Sequence, residues 1–309
     1  MKSDLMNLET KDGVIIYYYR WLPEEESQIK GIVQIAHGMA EHALRYERFA
    51  QFLTQHGFVV FASDHRGHGK TAGPFENSGF FAQENGWNLV VNDIHNLTNI
   101  IKDTYKGKPI FLFGHSMGSF LSRSFLFDFG NEIKGVILSG TGGDPGIMGK
   151  IGRLIAKYES NKKGKRHRSI LLNKLSFGSF NNAFKPNRTD FDWLSRDNAE
   201  VDKYIKDEYC GFVCTSGLFV DLLTGIIEIH KKENLIKMPK NLPVYFMSGE
   251  KDPVGNNAKG VNQVAMMFQK AGLNDVNVKI YTEGRHEMLN EINRTDVFED
   301  ILFWLESKL

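Results

Sequence analysis

The chain has 309 residues, with 38 Lys and Arg against 37 Asp and Glu, two cysteines and 41% hydrophobic residues. This length exceeds one compact domain of ordinary size and suits a single α/β core carrying an insertion, while a net charge of +1 gives no excess of cations to bind nucleic acid by counterion release. The start, Met1-Lys2-Ser3-Asp4-Leu5, lacks the apolar stretch of a secretory signal, and no run of about 18 apolar residues occurs, so a soluble cytoplasmic protein is expected.

Lys11-Asp12-Gly13 separates two extended stretches, and Asp-Gly predicts an opening antiparallel hairpin. Strands are then expected over 32–36, 58–62, 109–113, 135–139, 244–247 and 276–281, alternating with helices over 42–55, 88–102, 117–129, 259–271 and 296–307. Such alternation predicts a mostly parallel sheet with helices on both faces. The pattern breaks between Gly143 and Lys240. Residues 1–142 and 241–309 are therefore expected to form the core, with 143–240 as an inserted helical cap.

Gly114-His115-Ser116-Met117-Gly118 follows the apolar run Ile110 to Phe113 and precedes Phe120, Leu121, Phe125 and Leu126 at helical spacing. A bare G-x-S-x-G arises by chance in about one chain in ten of this length. Here it sits where a strand-to-helix turn would expose a serine hydroxyl for attack. Ser116 is the candidate nucleophile. It needs a histidine to take its proton and a carboxylate to orient that histidine. Asp252 lies just past the run Leu242 to Met247, and His286 just past the alternating stretch 276–281. The three thus fall in the order Ser, Asp, His, each beyond a strand's carboxyl end, where open α/β sheets bind ligands. Glu250 competes with Asp252, but Pro253 favours a turn at Asp252. His56, His95, His167 and His230 occupy helical or charged stretches and read as ordinary surface or core positions. For the oxyanion, the backbone N–H groups of Met117 and of Met39, in the loop after the strand 32–36, are the expected donors.

His37-Gly38-Met39-Ala40-Glu41-His42 with Arg45-Tyr46, Asp64-His65-Arg66-Gly67-His68-Gly69, the Ser116 motif and His286-Glu287-Met288-Leu289-Asn290-Glu291 together resemble the monoacylglycerol lipase and lysophospholipase group of α/β-hydrolases. The resemblance spans almost the whole chain. It implies an α/β-hydrolase fold with a cap over the site, no cofactor, and hydrolysis of single-chain acyl esters; no metal is expected at the site. Family members often carry Gly at the position of Ala40, Gly at Ser119 and Ser at Thr71, which puts the oxyanion loop's geometry in question.

Within the cap, Phe177, Phe180, Phe184, Trp193, Phe212 and Phe219 are candidates to line an acyl channel or to form the cap's own core. Glu41 and Arg45 are candidates for head-group contact, or for a local ion pair supporting the oxyanion loop. The basic run 161–168 is either a solvated face or a contact for anionic membrane surfaces. Cys210 and Cys214 suggest neither a disulfide framework nor a zinc site; on a helix they would share a face and pack. Gly69-Lys70-Thr71 lacks the earlier Gly of a phosphate-binding loop, and Gly140-Thr141-Gly142 meets Pro145 where a dinucleotide fingerprint needs Gly. The loop 64–69 reads instead as structural, with Asp64 and Arg66 able to pair. The expected function is serine-dependent ester hydrolysis. A short-chain carboxylesterase or serine aminopeptidase is the alternative, and a non-catalytic receptor on the same fold the remote one.

Overall fold

The computed structural model describes residues 1–25 and 29–309. β1 (Lys2–Glu9) and β2 (Ile15–Leu22) pair antiparallel, joined by the expected turn, in which Gly13 has φ +80°. Six parallel strands follow: β3 (Gly31–Ala36), β4 (Phe58–Ser63), β5 (Ile110–His115), β6 (Gly135–Ser139), β7 (Val244–Gly249) and β8 (Val276–Tyr281). The order in the sheet is β1-β2-β4-β3-β5-β6-β7-β8. From β3 the chain steps to β4 on one side and later resumes with β5 on the other. The carboxyl ends of β3 and β5 therefore flank the switch point of the topology, where such sheets form a crevice.

Alternation along the central strands divides the core in two. Ile32, Val59, Leu112, Val136 and Phe246 face α3 (Gly86–Thr104), α4 (Met117–Phe129) and α10 (Lys259–Lys270). Val33, Val60, Phe111, Ile137 and Tyr245 face α1 (Glu47–Gln55) and α11 (Arg294–Glu306). Both faces are covered, so the strands read as nearly continuous apolar runs. A single turn, α2 (Gly69–Ala72), follows β4.

The junction of β5 and α4 is the tightest point. Ser116 has φ 52° and ψ −119°, a strained region for a residue with a Cβ. A Cβ on Gly118 would lie 2.0 Å from the Ala36 carbonyl oxygen, and one on Gly114 would lie 2.5 Å from the Gly118 carbonyl oxygen. Only glycine lets these backbones touch.

Between β6 and β7 the chain forms α5 (Gly146–Lys163), α6 (Ile170–Phe177), α7 (Asn198–Lys206), α8 (Ser216–Glu228) and α9 (Lys232–Leu235). α8 lies against α3 so closely that a Cβ on Gly225 would meet the Trp87 ring at 2.0 Å. The basic run 161–168 is largely engaged within the molecule. Lys165 pairs with Glu84, Arg166 lies over the Phe80 ring, and Arg168 donates to the carbonyls of Val213 and Phe75. No helix among the described residues is long and apolar enough to cross a membrane.

Two sequence expectations are corrected. Arg66 does not pair with Asp64. It is 2% exposed and bonds Asp93 at 2.6 Å and Asp12 at 2.5 Å, while Asp64 accepts the backbone N–H groups of Ala43 and Lys70. The tight turn at Gly69 brings the Lys70 N–H onto the Asp64 carboxylate, and Arg66 points instead to the hairpin and α3. Cys210 and Cys214 lie in the coil between α7 and α8, not on a helix. Both are free and buried.

Breaking a buried ion pair from one side strands the other charge, at about 3–5 kcal/mol. Arg66→Ala therefore lowers stability by about that amount in urea unfolding, since Asp93 stays buried without its partner. Gly118→Ala loses more than about 3 kcal/mol or fails to fold. A soluble variant with an unchanged melting temperature would contradict the contact at Ala36.

Candidate active site

Each candidate group sits at the carboxyl edge of the sheet because the strand before it ends there. Ser116 is half-buried at the end of β5, and its N–H donates to the Ser139 carbonyl of neighbouring β6 at 2.9 Å. His286 lies beyond β8 and Asp252 beyond β7, and their side chains meet, His286 Nδ1 to Asp252 Oδ1 at 2.9 Å. The Val254 N–H donates to the same carboxylate oxygen at 2.9 Å, and the Ser248 hydroxyl donates to the other at 3.3 Å. Glu250, the competing acid, accepts instead from the Glu283 N–H on the surface.

Both members of the pair are buried. Burial alone would raise the Asp252 carboxyl and lower the His286 imidazole, but the mutual charge and hydrogen bond prevail. Asp252 is held below its ordinary value and His286 above. The His115 ring lies tilted 4.7 Å from the His286 ring, yet burial beside that imidazole pushes it down to about 4. It stays neutral and does not compete for the carboxylate.

The loop after β3 passes beside Ser116. Glu41 organises it: Oε1 accepts from the Gly38 N–H at 2.5 Å and the Tyr46 hydroxyl at 2.9 Å, and Oε2 accepts from Arg45 at 2.5 Å. Arg45 also bonds both oxygens of Glu287, at 2.8 and 2.7 Å, so it ties the Met39 loop to the residue next to His286. Burial would raise the Glu287 carboxyl, but Arg45 holds it down at about 2. Ala40 has φ 54°, the left-handed conformation for which glycine is the usual residue. This alanine therefore keeps the loop geometry at some cost in strain, with its carbonyl held by the Tyr204 hydroxyl and the Gly211 N–H, both at 2.9 Å. The Met39 N–H has no acceptor among the described residues. Met117 opens α4, where helical N–H groups have no intrahelical partner.

A cavity of about 430 Å³ opens over Ser116, His286, Met39 and Glu41. Phe177, Phe191, Trp193, Leu194 and Phe212 form its apolar wall, and Asn182, Asn187, Lys174 and Asp190 stand at its exposed rim. The helical segment also grips the His286 loop: the His286 N–H donates to the Trp193 carbonyl, the Glu287 N–H to that of Leu194, and Arg285 Nη1 to that of Asp192. The Trp193 ring lies 5.1 Å from the His286 ring.

Three candidate contacts are corrected. Phe219 is fully buried in the core with α3 and α4, because the inward face of α8 carries Leu218, Phe219 and Leu222. Phe180 packs edge-on against Trp193 at 5.0 Å and supports the wall without lining it. Arg45 does not reach the cavity, since both its carboxylate partners consume its donors. His115 and Glu287 were not singled out from sequence, although each is a neighbour of a named residue.

A family model described as serine aminopeptidase, S33, matches residues 27–293. A monoacylglycerol lipase of Mycolicibacterium smegmatis is 28% identical over 96% of this chain and 95% of its own. The monoglyceride lipase of Homo sapiens is 26% identical over 99% and 91%. A crystal structure of a highly thermostable carboxyl esterase from Bacillus coagulans, in complex with glycerol, superposes with a TM-score of 0.91 at 28% identity, covering 99% of each chain. The match of sheet, turn and family model over nearly the full length makes this chain a serine hydrolase of the α/β-hydrolase fold, belonging to the serine aminopeptidase, S33, family.

Proposed function

We propose that the chain hydrolyses carboxylic esters of single-chain acyl compounds, of the monoacylglycerol or lysophospholipid class, with Ser116 as nucleophile, His286 as base and Asp252 as its orienting carboxylate. The observation that carries this reading is one cavity in which the strained Ser116, the Asp252-held His286 and the unpaired Met39 N–H converge beneath an aromatic wall. His286 takes the Ser116 hydroxyl proton as the oxygen attacks the acyl carbonyl. The N–H groups of Met39 and Met117 stabilise the oxyanion. His286 then returns the proton to the leaving alcohol, and water, activated by the same imidazole, hydrolyses the acyl-enzyme.

Residues 143–240 serve as the cap. A volume of about 430 Å³ lies within the range of small-molecule sites, and the wall of Phe177, Phe191, Trp193 and Phe212 suits an alkyl chain. On the outer surface of the cap, Ile147, Met148, Ile151, Leu154 and Tyr158 of α5 and Ile170, Leu171 and Leu175 of α6 are exposed. Lys150, Lys157 and Lys162 flank this face. An apolar face with flanking lysines suits transient contact with an anionic membrane surface. The family model's description favours a second reading, aminopeptidase activity, which needs a free carboxylate for a substrate ammonium. Glu41 and Glu287, the carboxylates nearest Ser116 and His286, are both engaged by Arg45, and Asp190 stands only at the exposed rim of the cavity, which favours the ester.

Ser116→Ala abolishes hydrolysis and labelling by a fluorophosphonate while the melting curve keeps its cooperativity; retained turnover would sink the nucleophile assignment. With esters of increasing length, kcat/KM rises several-fold per methylene buried, at about 0.8 kcal/mol each, and Phe177→Ala flattens that series. Faster cleavage of aminoacyl amides than of decanoyl esters would instead favour the peptidase.

The pH profile follows from the direction of the His286 shift. A protonated imidazole cannot accept the serine proton, and this one stays protonated to a pH above its ordinary 6.5 because Asp252 raises it. Activity is therefore present at higher pH and lost as pH falls through a value above 6.5. In Asp252→Asn the burial effect is opposed only by the smaller pull of Glu287 and Glu41, so the rate drops by orders of magnitude and its acid limb moves to lower pH. An unmoved limb in kcat/KM would contradict the pairing.

A further inference from the structure

Outside the catalytic cluster, one group of side chains combines nitrogen, oxygen and sulfur donors. His42 stands on the loop after β3, Asp207 caps the end of α7, and Cys210 follows three residues later. One donor atom of each lies within 4.8 Å of the other two, and His42 Nε2 is 2.8 Å from Asp207 Oδ2. The Tyr209 N–H donates to Asp207 Oδ1 at 2.9 Å, which orients the carboxylate with Oδ2 toward His42. The Cys210 residue is only 9% exposed, and its thiol has no hydrogen-bond partner among the described residues. A surface cavity of about 340 Å³, lined in part by His42, Asp207, Glu47, Glu200, Arg48 and Lys203, opens onto His42 and Asp207 from outside.

We propose that His42, Asp207 and Cys210 bind a divalent transition-metal ion of the zinc class. An imidazole, a carboxylate and a thiolate select such an ion over magnesium or calcium, which prefer all-oxygen sites. Bonds of about 2.0–2.3 Å place tetrahedral donors about 3.4 Å apart. The His42 and Asp207 atoms need only separate by less than about 1 Å, with Cys210 drawing in. Binding releases the thiol proton to solvent and displaces the Nε2 proton now donated to Asp207, so that the neutral imidazole keeps its one proton on Nδ1 and ligates through Nε2. The fourth position stays open to water. The metal would add a tie between the loop bearing Met39 and the coil 207–211, beside the existing bonds to the Ala40 carbonyl. The site stands independently of the ester reading.

Cobalt(II) titrated into the full chain tests it, since a thiolate ligand gives a charge-transfer band in the near ultraviolet. The expected result is a one-to-one band that zinc removes by displacement. Cys210→Ser abolishes it, His42→Ala and Asp207→Asn weaken binding at least tenfold, and Cys214→Ser leaves it intact. Zinc also raises the melting temperature of the unsubstituted protein and of Cys214→Ser, but not of Cys210→Ser, a comparison that holds even if the His42 variant folds poorly. Absence of the band, its survival in Cys210→Ser, or binding no tighter than millimolar, meaning an adventitious ion only, would each overturn the assignment.

Discussion

The contact of backbone with backbone at the turn after β5 governs the rest of the site. Gly118 rests on the Ala36 carbonyl and Gly114 on Gly118, so α4 begins as close to β3 as two chains can come. That closeness forces Ser116 into a conformation that costs an isolated residue of order 1–3 kcal/mol. The packed sheet on both sides makes the cost affordable. It also fixes the neighbourhood: the loop leaving β3 must run past the serine, which is why Met39 and Glu41 share a cavity with it. A looser junction would separate these groups, whatever their identity.

Electrostatics at this edge follow a pattern in which buried charge is paired with opposite charge or, as at Asp64, held by backbone N–H groups, and buried imidazole is otherwise neutral. Asp252 with His286, Arg45 with Glu41 and Glu287, and Arg66 with Asp93 and Asp12 are the paired sets. Around them His65 and His68 are pushed by burial down to about 3 and 4, and His37 well below its ordinary value. His37 Nε2 accepts the His65 N–H at 2.9 Å, so its proton sits on Nδ1 and is donated to the Gly38 carbonyl. A neutral histidine thereby braces the loop without adding a charge that would disturb His286.

The segment between β6 and β7 is anchored to the core at two ends rather than resting on it. Lys165 and Arg168 hold the end near α5, where they meet residues 75–84. Arg285, Arg196 and Arg48 hold the other, bonding across to 192–200 and 290–291. Arginine suits such ties because its planar fork bonds several oxygens at once. The cavity forms along the seam between these anchors, so its wall is made by Trp193 and Phe212 at segment ends and not by the inward face of α8.

The sequence by itself determined the strands, the hairpin, the order of Ser116, Asp252 and His286 along the chain and the loop bearing Met39, because these depend on local period and on motifs a few residues long. Each of the six parallel strands falls within one or two residues of expectation at its start. Only the tertiary structure decided which charges meet and which aromatics face the cavity. Arg66 could have reached Asp64, two residues away, yet it bonds Asp12 and Asp93, 54 and 27 residues distant. Phe219 and Phe177 look alike along the chain, but one faces α3 and α4 and the other faces the site. His42 and Asp207, 165 residues apart, carry no shared spacing at all. Side-chain partners of this kind are set by how helices cross the sheet, which depends on packing the whole core and leaves no local periodic trace.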